Sequence, residues 1–409
     1  MTMERTSLFA GLCALALSLT FSCDNISIEN DRARSRDETM TRDSTAGRKA
    51  SGGGVLAVAV KFPRDYDWRR DSCYGAVNGK LVLMAGKKEL LTLDAGPGTA
   101  VSLDADRHHI VGSRLYTEAC GPDGTVYCCD GKELFASPDR EVLKGIYSSG
   151  GDLYTLSESL SGAGIVLRKN FQELFSRKGG QVHGSLSDPS RLPCGALTEE
   201  DGEPCFIYYS DSGGKRRWYR VQGKEESELP LPLGVRTVYD IGVWDGIVCI
   251  ACLSTAGRAP VLFCGDELHD FWWTLAVKKV ESDFRLFRED GRTKMYGTYH
   301  AKGRGETAKT AHWSEDGIEG LYPLDCSIFR GESYISRQDG SVREIVCGGK
   351  NWKLDGEWRL ASPHCVAWTD GGAVVALTPA GEGNPAIWKD GKLESCDFNG
   401  YFSAVAMVE

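Results

Sequence analysis

An all-β repeat protein is what this sequence predicts, on three observations. Short apolar or aromatic runs alternate with tight turns rich in Asp, Asn and Gly. Those turns recur at about 40 to 50 residues, with one spacing near 32, the period of a four-stranded blade. No helical periodicity longer than a few turns competes.

The repeat unit is a strand, a turn demanding positive φ, often a Lys, and a second short strand. It reads Leu81 to Lys87, Val126 to Phe135, Ile165 to Phe175, Phe206 to Lys215, Val261 to Asp266, Ala311 to Gly317, Val342 to Lys350 and Ala386 to Leu393. Asp-Gly and Gly-Gly are what two-residue hairpin loops require, so each copy reads as the last hairpin of a blade. The copy ending at Gly348-Gly349 is the least regular. These units predict a β-propeller of eight four-stranded blades, or seven. A pair of β-sandwiches fits the single-hairpin period less well. The alternating run Phe402 to Val408 has no hairpin partner of its own. It is expected to close the ring by pairing into the first blade, whose strands should begin near Tyr74, because an unpaired sheet edge invites aggregation.

The N-terminal segment has a different character. Arg5 precedes an apolar run from Leu8 to Phe21, followed by Ser22-Cys23. That run is too short to span a bilayer, which takes roughly 20 apolar residues, and it has the layout of a secretory signal. With Cys23 after a small residue it resembles a bacterial lipoprotein signal, although Thr20 stands where that family usually has Leu. The resemblance implies lipid attachment at Cys23. Residues 24–54 hold few large apolar side chains and read as a flexible tether. The expected organisation is therefore a signal peptide over 1–22, a tether over 23–54 and a propeller over 55–409. Trp388-Lys389-Asp390-Gly391 and His312-Trp313-Ser314-Glu315-Asp316-Gly317 resemble the tryptophan-bearing hairpins of propeller lipoproteins of unknown function from Gram-negative bacteria. That resemblance implies fold and an envelope location, the outer membrane before the inner, and no activity.

A formal net charge of −9 with acids spread along the chain gives no nucleic-acid footprint. Fifteen cysteines, less Cys13 and Cys23, leave thirteen in the folded part. Cys128-Cys129 are adjacent and Cys249 and Cys252 are three apart, so on strands each pair faces opposite ways. Most are expected to be buried thiols, with room for one or two disulfides.

Chemistry-bearing motifs are sparse. Ser210 to Gly214 and Ser314 to Gly317 resemble fragments of the sialidase Asp-box without its spacing, and read as turns. His108-His109 could meet at a metal only on a loop, so no metal and no cofactor is expected. Lys215-Arg216-Arg217-Trp218-Tyr219-Arg220 mixes cations with aromatic rings. It reads as a face for an anionic or sugar ligand through Arg216, Arg217 and Trp218, or as a charge-protected edge strand. Phe271-Trp272-Trp273 puts Trp272 and Trp273 on opposite strand faces, one free to stack on a sugar. The expected function is a monomeric binding or scaffold module for a glycan, peptide or partner protein. A carbohydrate-active hydrolase or lyase is the alternative, and a purely structural role comes third.

Overall fold

The computed structural model describes residues 54–408 except 71–76, 78, 97–98, 163, 184–195, 213, 256–259, 271–276, 281–283, 290–291, 302–307, 315–316, 324–325, 331–332, 339 and 370–371. Cys23, the tether, Tyr74, Trp272 and Trp273 lie outside the described residues. What is described is a succession of antiparallel, mostly four-stranded sheets, a propeller-like array as the repeat predicts. The helical elements among the described residues are two single 3-10 turns, Ala105–Arg107 and Pro363–Cys365, capped by the side chains of Asp104 and Ser362.

Sheet 1 holds Gly54–Lys61, Gly79–Ala85, Lys88–Ala95 and Gly400–Val408. Sheet 2 runs through His108–Val111, Arg114–Gly121, Gly124–Cys129 and Lys132–Ser137. Sheet 3 follows as Glu141–Ser149, Asp152–Ser159, Gly164–Lys169 and Gln172–Lys178. In sheet 4 the two short strands Gly180–Val182 and Leu197–Glu200 share one partner, Glu203–Ser212, followed by Lys215–Gln222 and Glu225–Leu229. Sheet 5 is Val235–Trp244, Ile247–Ser254, Pro260–Cys264 and Glu267–Asp270. Sheet 6 again begins with two short strands, Val277–Val280 and Arg285–Glu289, on Arg292–Ala301, then Ala308–Ser314 and Gly317–Pro323. Sheet 7 (Cys326–Arg330, Ser333–Gln338, Ser341–Cys347, Lys350–Arg359) touches sheet 8 (Val366–Thr369, Gly372–Pro379, Ala386–Lys389, Lys392–Ser395) along an edge, where Trp358 and Arg359 pair with Pro379 and Thr378.

The core lies between sheets, because strand residues alternate faces. Leu56, Val58 and Val60 turn toward sheet 2 and meet Leu115, while Ala57 and Ala59 turn the other way and meet Val374 and Ala376 of sheet 8. The same alternation sends Cys249 and Ala251 toward sheet 6, and Ile250 and Cys252 toward sheet 4. Tyr127, Leu143 and Ile146 join sheets 2 and 3; Leu156, Ile165, Phe206 and Tyr208 join sheets 3 and 4; Ile345 and Val375 join sheets 7 and 8. Among the described residues Cys128, Cys129, Cys205, Cys252, Cys347 and Cys365 are buried thiols in no disulfide. Burial pushes the Cys252 thiol up to about 12 and that of Cys365 to about 11, so both stay protonated and inert.

The polar side of these seams has a device of its own. A carboxylate on one sheet, buried at Glu118 and Asp240 and half-buried at Glu158, accepts the backbone N–H of the next: Leu143 to Glu118 at 2.9 Å, Val182 to Glu158 at 2.9 Å and Leu286 to Asp240 at 2.7 Å. Each bond satisfies an N–H that a buried first strand would otherwise leave unpaired.

Turns and edges follow the expected chemistry. Asp130-Gly131 (φ 50° and 79°) and Asp390-Gly391 (φ 49° and 82°) are two-residue hairpins of the positive-φ kind. The equivalent Asn170-Phe171 puts a phenylalanine at φ 63°, and its ring stacks on Phe135 at 5.4 Å, which offsets the strain. Outer strands such as Lys132–Ser137 and Gln172–Lys178 are largely exposed and charged, which blunts edge-to-edge association.

Two expectations need correction. Phe206 to Lys215 is the hairpin between the second and third strands of sheet 4, not its last; that one turns at Gly223-Lys224, where no Asp-Gly signals it. The first sheet also starts at Gly54, ahead of Tyr74. Gly400–Val408 pairs antiparallel with Gly54–Lys61 over eight residue pairs, from Gly54 with Val408 to Lys61 with Gly400. Deleting residues 402–409 strips that strand and the buried Phe402, Ala404 and Val405. The expected result is a drop in melting temperature of about 10 °C or more, read by circular dichroism.

Candidate functional site

A depression of about 810 Å³ opens where sheet 3 meets sheet 4. Its walls carry hydroxyls (Ser157, Ser159, Ser176, Ser210), acids (Asp139, Glu141, Glu173), cations (Arg177, Lys178, Arg217) and Tyr219. They converge because the second to fourth strands of sheet 3 end beside the central hairpin of sheet 4. Gly164 opens its strand at φ 149°, and a side chain there would strike the carbonyl of Arg177 at 2.2 Å. Only glycine lets the two strands approach so closely at this end of the groove.

The floor of the groove is a closed polar network. Arg168 donates from both terminal nitrogens to Glu141, at 2.8 Å and 2.7 Å, and its guanidinium lies over Phe135 at 5.1 Å. Tyr127 donates to Glu141 Oε2 at 2.9 Å, and Ser137 to Oε1 at 2.7 Å. Burial works to raise the Glu141 carboxyl, but the hydrogen bonds from Arg168 and Ser137 outweigh it and hold the group below its ordinary value. Glu141 is therefore a fixed anion and has no proton to donate at neutral pH.

The rim is looser. Arg177 lies 3.7 Å from Glu226 and 6.0 Å from the centre of the Tyr219 ring. Tyr219 stacks on Tyr208 at 4.9 Å, and the Tyr208 hydroxyl donates to Glu226. Arg217 reaches Glu228 only at 3.9 Å, with both side chains more than half exposed. These guanidinium groups keep donors to spare for a ligand.

Of the residues singled out from the sequence, Arg217 lines this groove. Its neighbour Arg216 is held elsewhere: it donates twice to Asp211 at 3.0 Å and lies 3.9 Å over the Tyr209 ring. Trp218 is corrected outright. It is 3% exposed, packs with Ile241 and Ile250, and meets His183 edge-on at 4.9 Å, so it presents no face to a ligand. The strand carrying them is the third of four, not an edge, because Glu225–Leu229 pairs along its outer side. Sequence reading missed Arg177, Tyr219 and the Glu141–Arg168 network. The one visible signal was a charged residue, Arg168, directly after the apolar run Ile165 to Leu167.

Two histidine sites lie outside the groove. His183 Nε2 is 2.6 Å from Asp240 Oδ1, and Asp240, wholly buried, also accepts the backbone N–H of Ile241 at 2.9 Å. His108 and His109 sit on one strand and point to different partners. His108 lies between Ser403 and Ser102, whereas His109 faces His364. Among the described residues no group of three or more His, Cys, Asp or Glu side chains gathers as metal ligands would.

No family model matches the sequence, and no curated protein matches it. Among solved structures, TolB from Acinetobacter baumannii is similar at 13% identity and a TM-score of 0.33, over 86% of this chain and 82% of that one. BBS1N, solved in complex with ARL6DN and soaked with lead, is similar at 11% identity and a TM-score of 0.28, over 73% and 84%.

The buried ion pair sets a measurable pH response. Because the Glu141 carboxyl is held below its ordinary 4.5, the stability it contributes is present above about pH 4.5 and lost as pH falls through its folded value. Glu141→Gln strands the Arg168 charge, so unfolding in urea at neutral pH should show a loss of about 3 kcal/mol. The difference from the wild type should shrink in acid.

Proposed function

We propose that this chain is a lipid-anchored envelope protein, an eight-bladed propeller closed by its last strand, that binds a glycan in the groove between sheets 3 and 4. The single observation that carries the binding reading is that groove. It is open and hydroxyl-rich, with fork-shaped donors at Arg177 and Arg217, an aromatic ring at Tyr219 and the fixed carboxylate of Glu141. Such a surface exchanges hydrogen bonds with a polyhydroxylated ligand along its length, and an open cleft accepts a chain without enclosing its ends.

The blade count is supported by the eight sheets of four or five strands and by hydrophobic clusters that join successive sheets. Ring closure is supported by the pairing of Gly400–Val408 with Gly54–Lys61, and by the side chains of sheets 1 and 8 that share one cluster. The anchor at Cys23, the outer membrane as its site and the monomeric state rest on the sequence alone. Peptide and protein partners are the other ligands of a binding role, and a hydrolase or lyase is the rival reading. Nucleic acid does not suit a chain of net charge −9.

The test is titration of the folded domain against a panel of defined polysaccharides and peptides, with mass spectrometry of the same mixtures. Saturable binding to one glycan, weakened about tenfold or more by Arg217→Ala and by Tyr219→Ala, is the expected result, since each removes one good contact. Release of smaller sugars would replace the binder with the enzyme. Binding to peptides alone would replace the glycan. In cells, Cys23→Ser should move the full chain from the membrane fraction to the soluble one.

A further inference from the structure

We propose that the buried imidazoles of His108, His109 and His364 form an acid-sensitive latch: neutral, they hold the C-terminal strand between sheets 2 and 8, and charged, they let that seam part. This rests on side chains remote from the groove and is independent of any ligand.

The C-terminal strand is gripped from both sides. From sheet 2, His108, with no exposed surface, places Nδ1 2.9 Å from Ser403 Oγ and Nε2 2.8 Å from the carbonyl of Ser102. The carbonyl can only accept, so Nε2 carries the proton of the neutral ring; Nδ1 and, at 3.4 Å, the Val58 carbonyl share the Ser403 hydroxyl. From the sheet 8 side, Ser362 Oγ donates to the carbonyl of Ser403 at 2.5 Å and Cys365 Sγ to that of Phe402 at 3.2 Å. His364 lies in the same 3-10 turn. Its ring meets His109 edge-on, with centroids 5.3 Å apart, and His109 is 4% exposed with no hydrogen-bond partner at Nε2. The three rings thus span both seams, and at His109 Nε2 a proton would have no acceptor.

Burial opposes a charged His108 and outweighs the hydrogen bond to the Ser102 carbonyl and the Asp104 carboxylate, which both favour it, and Arg107 adds to the opposition. Arg107 faces the cluster as a cation, and its own partners are Glu118 and, at 3.6 Å, Asp104. Burial and the nearby Asp104 push the Asp106 carboxyl up, which disfavours its anion. Neither Gly400–Val408 nor Val366–Thr369 carries a charged residue. Burial lowers His108 and His364 to about 4 and His109 well below 6.5. A released imidazole titrates near 6.5. The open seam therefore takes up protons that the closed seam refuses. The imidazoles' full contribution stands above about pH 6.5 and is lost as pH falls toward 4.

The experiment is amide hydrogen exchange of the full chain at about pH 7 and about pH 5, corrected for intrinsic rates. Each released imidazole should raise the opening equilibrium about twentyfold over that interval. Gly400–Val408 should lose protection by at least that factor, while Asp152–Ser159 and Gly164–Lys169 keep theirs. In His364→Gln the acid-induced loss should fall by about twentyfold. Unchanged protection of Gly400–Val408, or an equal loss in every sheet, overturns the latch, and these wild-type readings suffice if the variant does not fold. A loss confined to the seam but identical in His364→Gln overturns the part assigned to that residue.

Discussion

Everything in the first sheet depends on one ladder, the antiparallel pairing of Gly400–Val408 with Gly54–Lys61. Without it, Gly54–Lys61 would keep a bare row of donors and acceptors in the interior, and buried backbone groups of that kind cost as much as lost hydrogen bonds. The ladder also places Phe402 and Val405 against sheet 8 and Tyr401 and Ala404 against the sheet 2 side, so one strand supplies apolar surface to two seams. Its side chains explain why it can do so. Small Ala57 and Ala59 on the neighbouring strand leave room on one face, while Leu56, Val58 and Val60 fill the other.

Elsewhere the seams combine an apolar interior with a carboxylate bond at one side. Glu118, Glu158 and Asp240 each reach the backbone of the following sheet. A neutral side chain could make the same contact, but a carboxylate accepting an N–H makes a stronger, directional bond. Desolvation is the opposing cost. It raises the Glu118 carboxyl even with Arg107 beside it. The Glu141–Arg168 pair shows the other balance, in which two parallel bonds and two hydroxyls keep the acid ionised.

Much of the architecture was legible in the sequence because hairpin chemistry is local. Asp130-Gly131, Asp390-Gly391 and Gly348-Gly349 announce their turns, and period-two alternation announces the strands between. Gly223-Lys224 was passed over because a lone glycine carries little turn signal, and the richer Ser210 to Gly214 drew the repeat one strand too early. The site was far less legible. Trp218 and Arg217 are neighbours, yet one is core and the other lines a groove, because a single step along a strand exchanges the two faces. Which face is buried depends on sheet 5 packing against sheet 4, and nothing within six residues encodes that. The Glu141–Arg168 pair and the contact of His109 with His364 join distant segments, for which one sequence contains no pairing information.

The pairing of the two ends also bears on how the chain reaches its native state. Sheets 2 to 5 are each built from consecutive segments and can form as synthesis delivers them. Sheet 1 cannot. Its first strand emerges early and must wait for a partner some 340 residues later, a closure whose entropy has to be met before any contact rewards it. During that interval Val55 to Val60, apolar on both faces, is the segment most exposed to wrong partners. Completion of sheet 1 is thus tied to delivery of Gly400–Val408, and a product lacking that segment would expose an apolar strand edge.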